Sequence, residues 1–248
     1  MLQVQNLCKQ YPAFCLQDVS FEIESGRIMG LIGRNGAGKT TTLKAILRLI
    51  RPSGGTVLFQ GVPLDETASA LRRAAGYVSG DLCYYPRKKL SQLSCTTRAF
   101  YPEWDEARYQ SLLQRFGLDE SKRVCELSAG MKVKYQLACA LSHGAKLLIL
   151  DEPTSGLDPG ADDVTYLQNG RVAASCALRA FTAPWLHVTG PAAALTPQLQ
   201  PHLHGLRVHQ DTFEALLPVS DAALAAGCRT KAPDLETVMV YLERGQSV

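Results

Sequence analysis

Gly33-Arg34-Asn35-Gly36-Ala37-Gly38-Lys39-Thr40 fits the spacing G-x-x-x-x-G-K-[ST]. Each residue type in that pattern has a phosphate chemistry. The glycines let successive backbone N–H groups turn inward around anionic oxygens. A helix beginning near Lys39 points its positive end at the same place. The Lys39 ammonium reaches β- and γ-phosphates, the Thr40 hydroxyl can ligate Mg²⁺, and Thr41 can add a phosphate contact. The alternative is a plain glycine-rich strand-to-helix turn, but four fixed positions coincide by chance in roughly one chain in a hundred of this size. The context, an apolar run over 27–32, then glycines, then a helical stretch, is the one such a loop needs.

Cleaving a phosphoanhydride needs a second, acidic site that holds the metal and orients the attacking water. Leu147-Leu148-Ile149-Leu150-Asp151-Glu152 offers both groups. The apolar run reads as a fully buried parallel strand, with its carboxylates emerging at the C-terminal end. Asp151 is expected to hold Mg²⁺ through water, and Glu152 to polarise the nucleophilic water.

Positioning these groups takes strands that alternate with helices. Residues 1–25 read as short strands and turns. A strand is expected over 56–61, after the turn residues Pro52, Ser53, Gly54 and Gly55. Residues 67–125 read as mostly helical, with Pro86 and Pro102 as breaks. Met131–His143 has helical spacing, and Asp234–Glu243 carries a helical apolar face at 235, 238, 239 and 242. The pattern weakens from 160 onward. The expected fold is α/β with a parallel sheet, followed by a smaller C-terminal unit.

Composition is consistent with a globular chain. Of 248 residues, 46% are hydrophobic and 20% charged, which excludes a disordered polymer. Lys and Arg number 26 against 23 acidic residues, a net charge of +3, too small to argue for nucleic acid as a partner. No run of about 18 apolar residues spans a bilayer, and MLQVQNLCKQ lacks a secretory signal's apolar stretch, so a cytoplasmic location is expected. The eight cysteines include no C-x-x-C pair and read as free thiols.

Further motifs carry a resemblance. Leu127-Ser128-Ala129-Gly130-Met131 precedes the Asp151 strand, and Pro153-Thr154-Ser155-Gly156-Leu157-Asp158 follows it. With the P-loop, and in this order, they resemble the ATP-binding-cassette (ABC) transporter ATPases over residues 1–159, and less closely over 162–180. Tyr101-Pro102-Glu103-Trp104-Asp105 and Leu235–Tyr241 resemble the ATPase subunits of bacterial ABC exporters. The resemblance implies a P-loop cassette over 1–180: a RecA-like parallel sheet, N-terminal antiparallel strands and a helical subdomain at about 82–135. A C-terminal accessory region would follow over 181–248. It implies ATP and Mg²⁺ as cofactors, and a homodimer or heterodimer of ATPase subunits. A separate integral membrane permease would hold the chain peripherally on the inner face of the cell membrane. Tyr11 would stack on adenine, although an aromatic just before a strand also fits a plain surface or core tyrosine. Ser128 and Gly130 would contact the γ-phosphate held by the other subunit. Asp158 would sit at that interface, or else serve as a helix cap or turn residue.

Three departures stand out. Ala129 and Met131 replace the glycine and glutamine usual in that motif. Gly80 stands where the family places a metal-contacting glutamine, with Asp81 as the only nearby substitute. Only six residues, Asp158 to Asp163, join Leu157 to Val164, where the family places a helix, a strand and a switch histidine. At least about 20 residues would be needed for those. An internal deletion near 159–163 is therefore expected, and none of the five histidines stands in for the missing one. The stretch 184–189 is the candidate for a replacement strand. The leading reading is an ATP-hydrolysing subunit; the alternative is a cassette that binds nucleotide and is deficient in hydrolysis.

Overall fold

The computed structural model describes residues 1–64, 68–79, 85–151 and 161–244. They fall into two compact units, one from Met1–Lys39 with Leu157–Val248, the other Thr40–Gly156.

The first unit opens with an antiparallel pair, β1 (Leu2–Tyr11) and β2 (Phe14–Ile23), paired Leu2↔Ile23 through Tyr11↔Phe14. Leu2, Val4, Leu7, Leu16 and Val19 are buried and the residues between them mostly are not, which gives the hairpin one apolar face. Then β3 (Met29–Ile32) leads through the glycine-rich loop into α1 (Lys39–Ile46), the helix expected near Lys39.

In the second unit, β4 (Gly54–Phe59) and β5 (Val62–Pro63) form a short hairpin. Next come α2 (Ser69–Ala74), β6 (Ala75–Ser79), α3 (Leu90–Phe100), α4 (Glu106–Phe116), α5 (Ala129–Ser142) and β7 (Leu147–Asp151). The reading of 67–125 as mostly helical is corrected at β6: Ala75–Ser79 follows α2 without a break and is extended because it has β7 to pair with. Asp105 caps α4 by accepting from the Arg108 N–H, and Gly117 ends it at a φ of 65°. Leu90, Leu93, Tyr109, Leu113, Val124 and Tyr135 form the core where α3, α4 and α5 meet.

β6 and β7 pair in parallel from Ala75↔Leu147 to Ser79↔Asp151. The expectation of a fully buried β7 is half right. Leu147 and Ile149 are buried, whereas Leu148 and Leu150 are 41% and 44% exposed. Among the described residues β7 has β6 as its only strand neighbour. An apolar run reports that a strand could be buried on both faces; here only one face is covered.

The first unit resumes with β8 (Asp163–Gln168) and β9 (Arg171–Ala177). Asn169 and Gly170, at φ of 49° and 77°, make the two-residue turn between them, the residue pair a primed hairpin turn prefers. β3 pairs in parallel with β8, Met29↔Asp163 to Ile32↔Tyr166, in the order β3-β8-β9. After the short α6 (Leu178–Thr182) come β10 (Trp185–Pro191), β11 (His204–His209), β12 (Thr212–Pro218) and β13 (Arg229–Lys231). They form an antiparallel sheet in the order β11-β12-β10-β13 around Val188, Leu199, Phe213 and Leu217. The proposed replacement strand 184–189 is thereby corrected: β10 pairs with β12 and β13. Finally α7 (Leu235–Arg244) packs Leu235, Val238, Met239 and Tyr241 into a cluster with Ile32, Val164, Tyr166 and Phe181. The expected apolar face is present, and it covers the sheet that carries the P-loop strand.

Candidate functional site

The phosphate cradle is built in the first unit. Gly33, Gly36 and Gly38 take φ of 146°, 84° and 110°, a backbone open to glycine and strained for other residues. At Gly33 there is a second constraint, since a Cβ would run into the Leu167 carbonyl oxygen of β8. At Gly38 it would meet Phe14 and Leu16 of β2 at 2.9 and 3.0 Å. The loop is thus pressed against β8 and β2. The Ala37 carbonyl also accepts from the Gly170 N–H at 3.1 Å. Arg34, Asn35 and Gly36 are exposed, while Ala37 and Gly38 are buried. Lys39 Nζ donates to the Gly33 and Arg34 carbonyls at 2.7 and 3.1 Å, so its charge lies over the loop. No acidic side chain sits in the first turn of α1, and its positive end is left for an anion.

The expected metal ligands lie in the second unit, which begins at Thr40. Thr40 Oγ1 donates to Asp151 Oδ1 at 3.1 Å. Tyr77 of β6 donates its hydroxyl to Asp151 Oδ2 at 3.0 Å. The parallel register of β6 and β7 makes this pairing possible. Burial, with the Asp151 carboxylate beside it, pushes the Tyr77 phenol up to about 12, so it stays a donor at neutral pH. A hydroxyl and a carboxylate in contact form a hard, all-oxygen donor set, which suits Mg²⁺. Gln136 of α5 ties down the end of β6, accepting from the Ser79 N–H at 3.1 Å and donating to the Ser79 carbonyl at 2.8 Å. Sequence reasoning missed Tyr77 and Gln136. Their signal is the strand register, which no local motif carries.

The other expected residues are dispersed. Thr41 is half-buried in α1. Tyr11 ends β1, 40% exposed, with Lys9 Nζ 5.1 Å from its ring centroid. Ser128 caps α5, its Oγ accepting from the Met131 N–H at 3.3 Å, and Gly130 lies in the first turn with open space at its Cβ position. Glu152 and Asp158, and also Gly80 and Asp81, lie outside the described residues. His143 is buried against Tyr101, their rings stacked 4.0 Å apart. His187, His204 and His209 belong to the β10–β13 sheet, and His202 pairs with Asp221 at 2.8 Å. The seven described cysteines are free thiols. No helix among the described residues is long and apolar enough to cross a membrane.

Comparison with known proteins gives a consistent result. The family model described as ABC transporter matches residues 16–155. The "ABC transporter ATP-binding protein YtrB" of Bacillus subtilis is 37% identical over 143 residues, 58% of this chain and 49% of that protein. The "Phosphonates import ATP-binding protein PhnC" of Wolinella succinogenes is 35% identical over 178 residues, 64% of this chain and 65% of that protein. The chain thus spans about half to two thirds of the length of these relatives. Among solved structures, "Structure of ATP binding subunit of ABC transporter" superposes with a TM-score of 0.65 at 29% identity, covering 74% of this chain and 92% of that one.

Proposed function

Because the chain belongs to the ABC transporter family, we propose that it is an ATP-binding and ATP-hydrolysing subunit that energises export through a separate membrane permease. The observation that carries the nucleotide reading is the P-loop: three glycines at positive φ, Lys39 held over the loop, and a helix start free of acidic residues. Export rests on the resemblance of Tyr101–Asp105 and Leu235–Tyr241 to exporter subunits; the name of one relative indicates import.

In this reading the N–H groups of Gly33–Lys39 and the Lys39 ammonium bind and orient the phosphates of ATP, with Thr41 adding a contact. Thr40 and Asp151 would hold Mg²⁺, which when bound offsets charge on the β- and γ-phosphate oxygens. Tyr77 fixes the rotamer of Asp151 by occupying Oδ2, which leaves Oδ1 toward Thr40. Glu152 would accept the proton of the attacking water, and Tyr11 would stack on the base. Ser128, Gly130 and Asp158 would act across a homodimer or heterodimer of such subunits, bound to the inner face of the cell membrane through the permease. The division into a cassette over 1–180 and an accessory region over 181–248 belongs to the same proposal; β10–β13 enclose a cluster of their own, while Leu216 and α7 pack with Ile32 of the cassette.

A second reading, binding without hydrolysis, is favoured by one observation: among the described residues no strand other than β6 flanks β7. A thermal melt with and without Mg-ATP tests both. A ligand at 100-fold excess over Kd adds about 2.7 kcal/mol. An upward shift lost in Lys39→Ala, with phosphate release lost in Glu152→Gln, is expected. A shift without phosphate release favours the second reading, and no shift in a folded protein refutes both.

A further inference from the structure

α7 presents two faces. One is packed in the core with Ile32. The other carries Glu236, Val240 and Glu243, spaced i, i+4, i+7 and therefore on one side of the helix, with Met239 of the core cluster at its border. These four line a cavity of about 460 Å³ together with Gly33, Arg34 and Asn35. Glu243 also borders an adjoining cavity of about 340 Å³ lined by Arg34 through Ala37. The wall of the phosphate loop thus holds two carboxylates, and among the described residues neither has an ion-pair partner within 4.0 Å. Both signs of charge are felt there: burial raises the Tyr166 phenol, Glu243 raises it further and Arg34 opposes.

We propose that Glu236 and Glu243 are specificity-determining residues of the phosphate loop, which set how much negative charge it accepts. The inference rests on the nucleotide reading above and deepens it. Lys39 and the start of α1 attract any phosphate, and two fixed carboxylates on the same cavity oppose it in proportion to its charge. The most highly charged ligand, metal-free ATP, is disfavoured most, and ADP and AMP progressively less. Packing of α7 against Ile32 holds in place the helix that carries the carboxylates, so the opposition is built on the core.

The test is calorimetric titration of ATP in chelator, tripolyphosphate, ADP and AMP into the wild-type chain and the Glu236→Gln/Glu243→Gln variant. The same variant pair with lysine provides a graded series, and Glu103→Gln, on an exposed residue of the second unit, is the control. At low salt the glutamine variant is expected to bind ATP and tripolyphosphate on the order of threefold to tenfold more tightly. The gain is smaller for ADP, least for AMP, larger with lysine, and mostly gone at about 0.5 M salt, where the screening length is only a few ångströms. Equal affinities in variant and wild type, or a gain independent of ligand charge and salt, would overturn the inference while the nucleotide reading stands. Absence of binding in every folded variant overturns the nucleotide reading and this inference with it.

Discussion

Replacing Tyr77 by phenylalanine removes one oxygen and leaves the ring. The lost group is the donor to Asp151 Oδ2 at 3.0 Å. A hydrogen bond to a charged acceptor contributes about 1.5–3 kcal/mol. Both partners are half-buried, so water recovers part of it, and about 1 kcal/mol is the expected loss. For a chain of this size that lowers Tm by about 2–4 °C. A double-mutant cycle with Asp151→Ala, which removes the acceptor, isolates the pair: the coupling should exceed about 0.5 kcal/mol, because the second substitution has little left to remove. The pH dependence gives an independent check. An unfolded tyrosine ionises near 10, whereas Tyr77 and Tyr241 are both pushed up to about 12 in the folded chain. Their contribution is fully present below pH 10 and is lost as pH rises from about 10 to 12. Tyr77→Phe should remove part of that alkaline slope. Additive single-mutant effects, with an unchanged slope, would refute the claim that Tyr77 orients Asp151.

Other perturbations follow from the geometry. Gly33→Ala, at a φ of 146° with its Cβ against the Leu167 carbonyl, should cost at least about 2 kcal/mol by urea midpoint. Gly36→Ala, at a φ of 84° with open space around it, should cost only about 1 kcal/mol. Leu150→Lys should change stability by less than about 0.5 kcal/mol and reduce light scattering on heating, since it charges an exposed sheet edge. Its buried neighbour Ile149 should not tolerate lysine, as urea titration would reveal. His187 and His143 are held below their ordinary range, chiefly by burial. Around His187, Lys231 adds to the lowering, Glu214 and Asp234 oppose it, and the Tyr241 ring lies 5.3 Å away. The unfolded chain takes up these protons first, near pH 6.5. Stability is therefore fully present above that pH and falls below it. His187→Phe and His143→Phe should each flatten the acid limb of a urea-midpoint profile.

The legible parts of the fold are the local ones. Gly33–Thr40 announces its turn and helix because the conformation is set by neighbours within eight residues. α7 was readable from its apolar residues at 235, 238, 239 and 242. Tyr77 was not, because its role exists only once Ser79 stands opposite Asp151, and register is a property of two strands. The exposure of Leu148 and Leu150 was misread for a related reason: hydrophobicity marks what a strand can bury, and the cover must come from elsewhere in the chain. The partner of Ile32 escaped notice because Val238 and Met239 lie at the far end of the sequence.

That last distance has a consequence for biosynthesis. The sheet holding the phosphate loop closes its core with residues from α7, so it cannot mature while those residues are still inside the ribosome. At about 5–20 residues per second, the interval between the synthesis of Ile32 and Val238 is roughly 10–40 s. Throughout it the P-loop strand, though translated early, waits with an apolar flank uncovered. Chaperone dependence of this chain should therefore track how quickly α7 arrives.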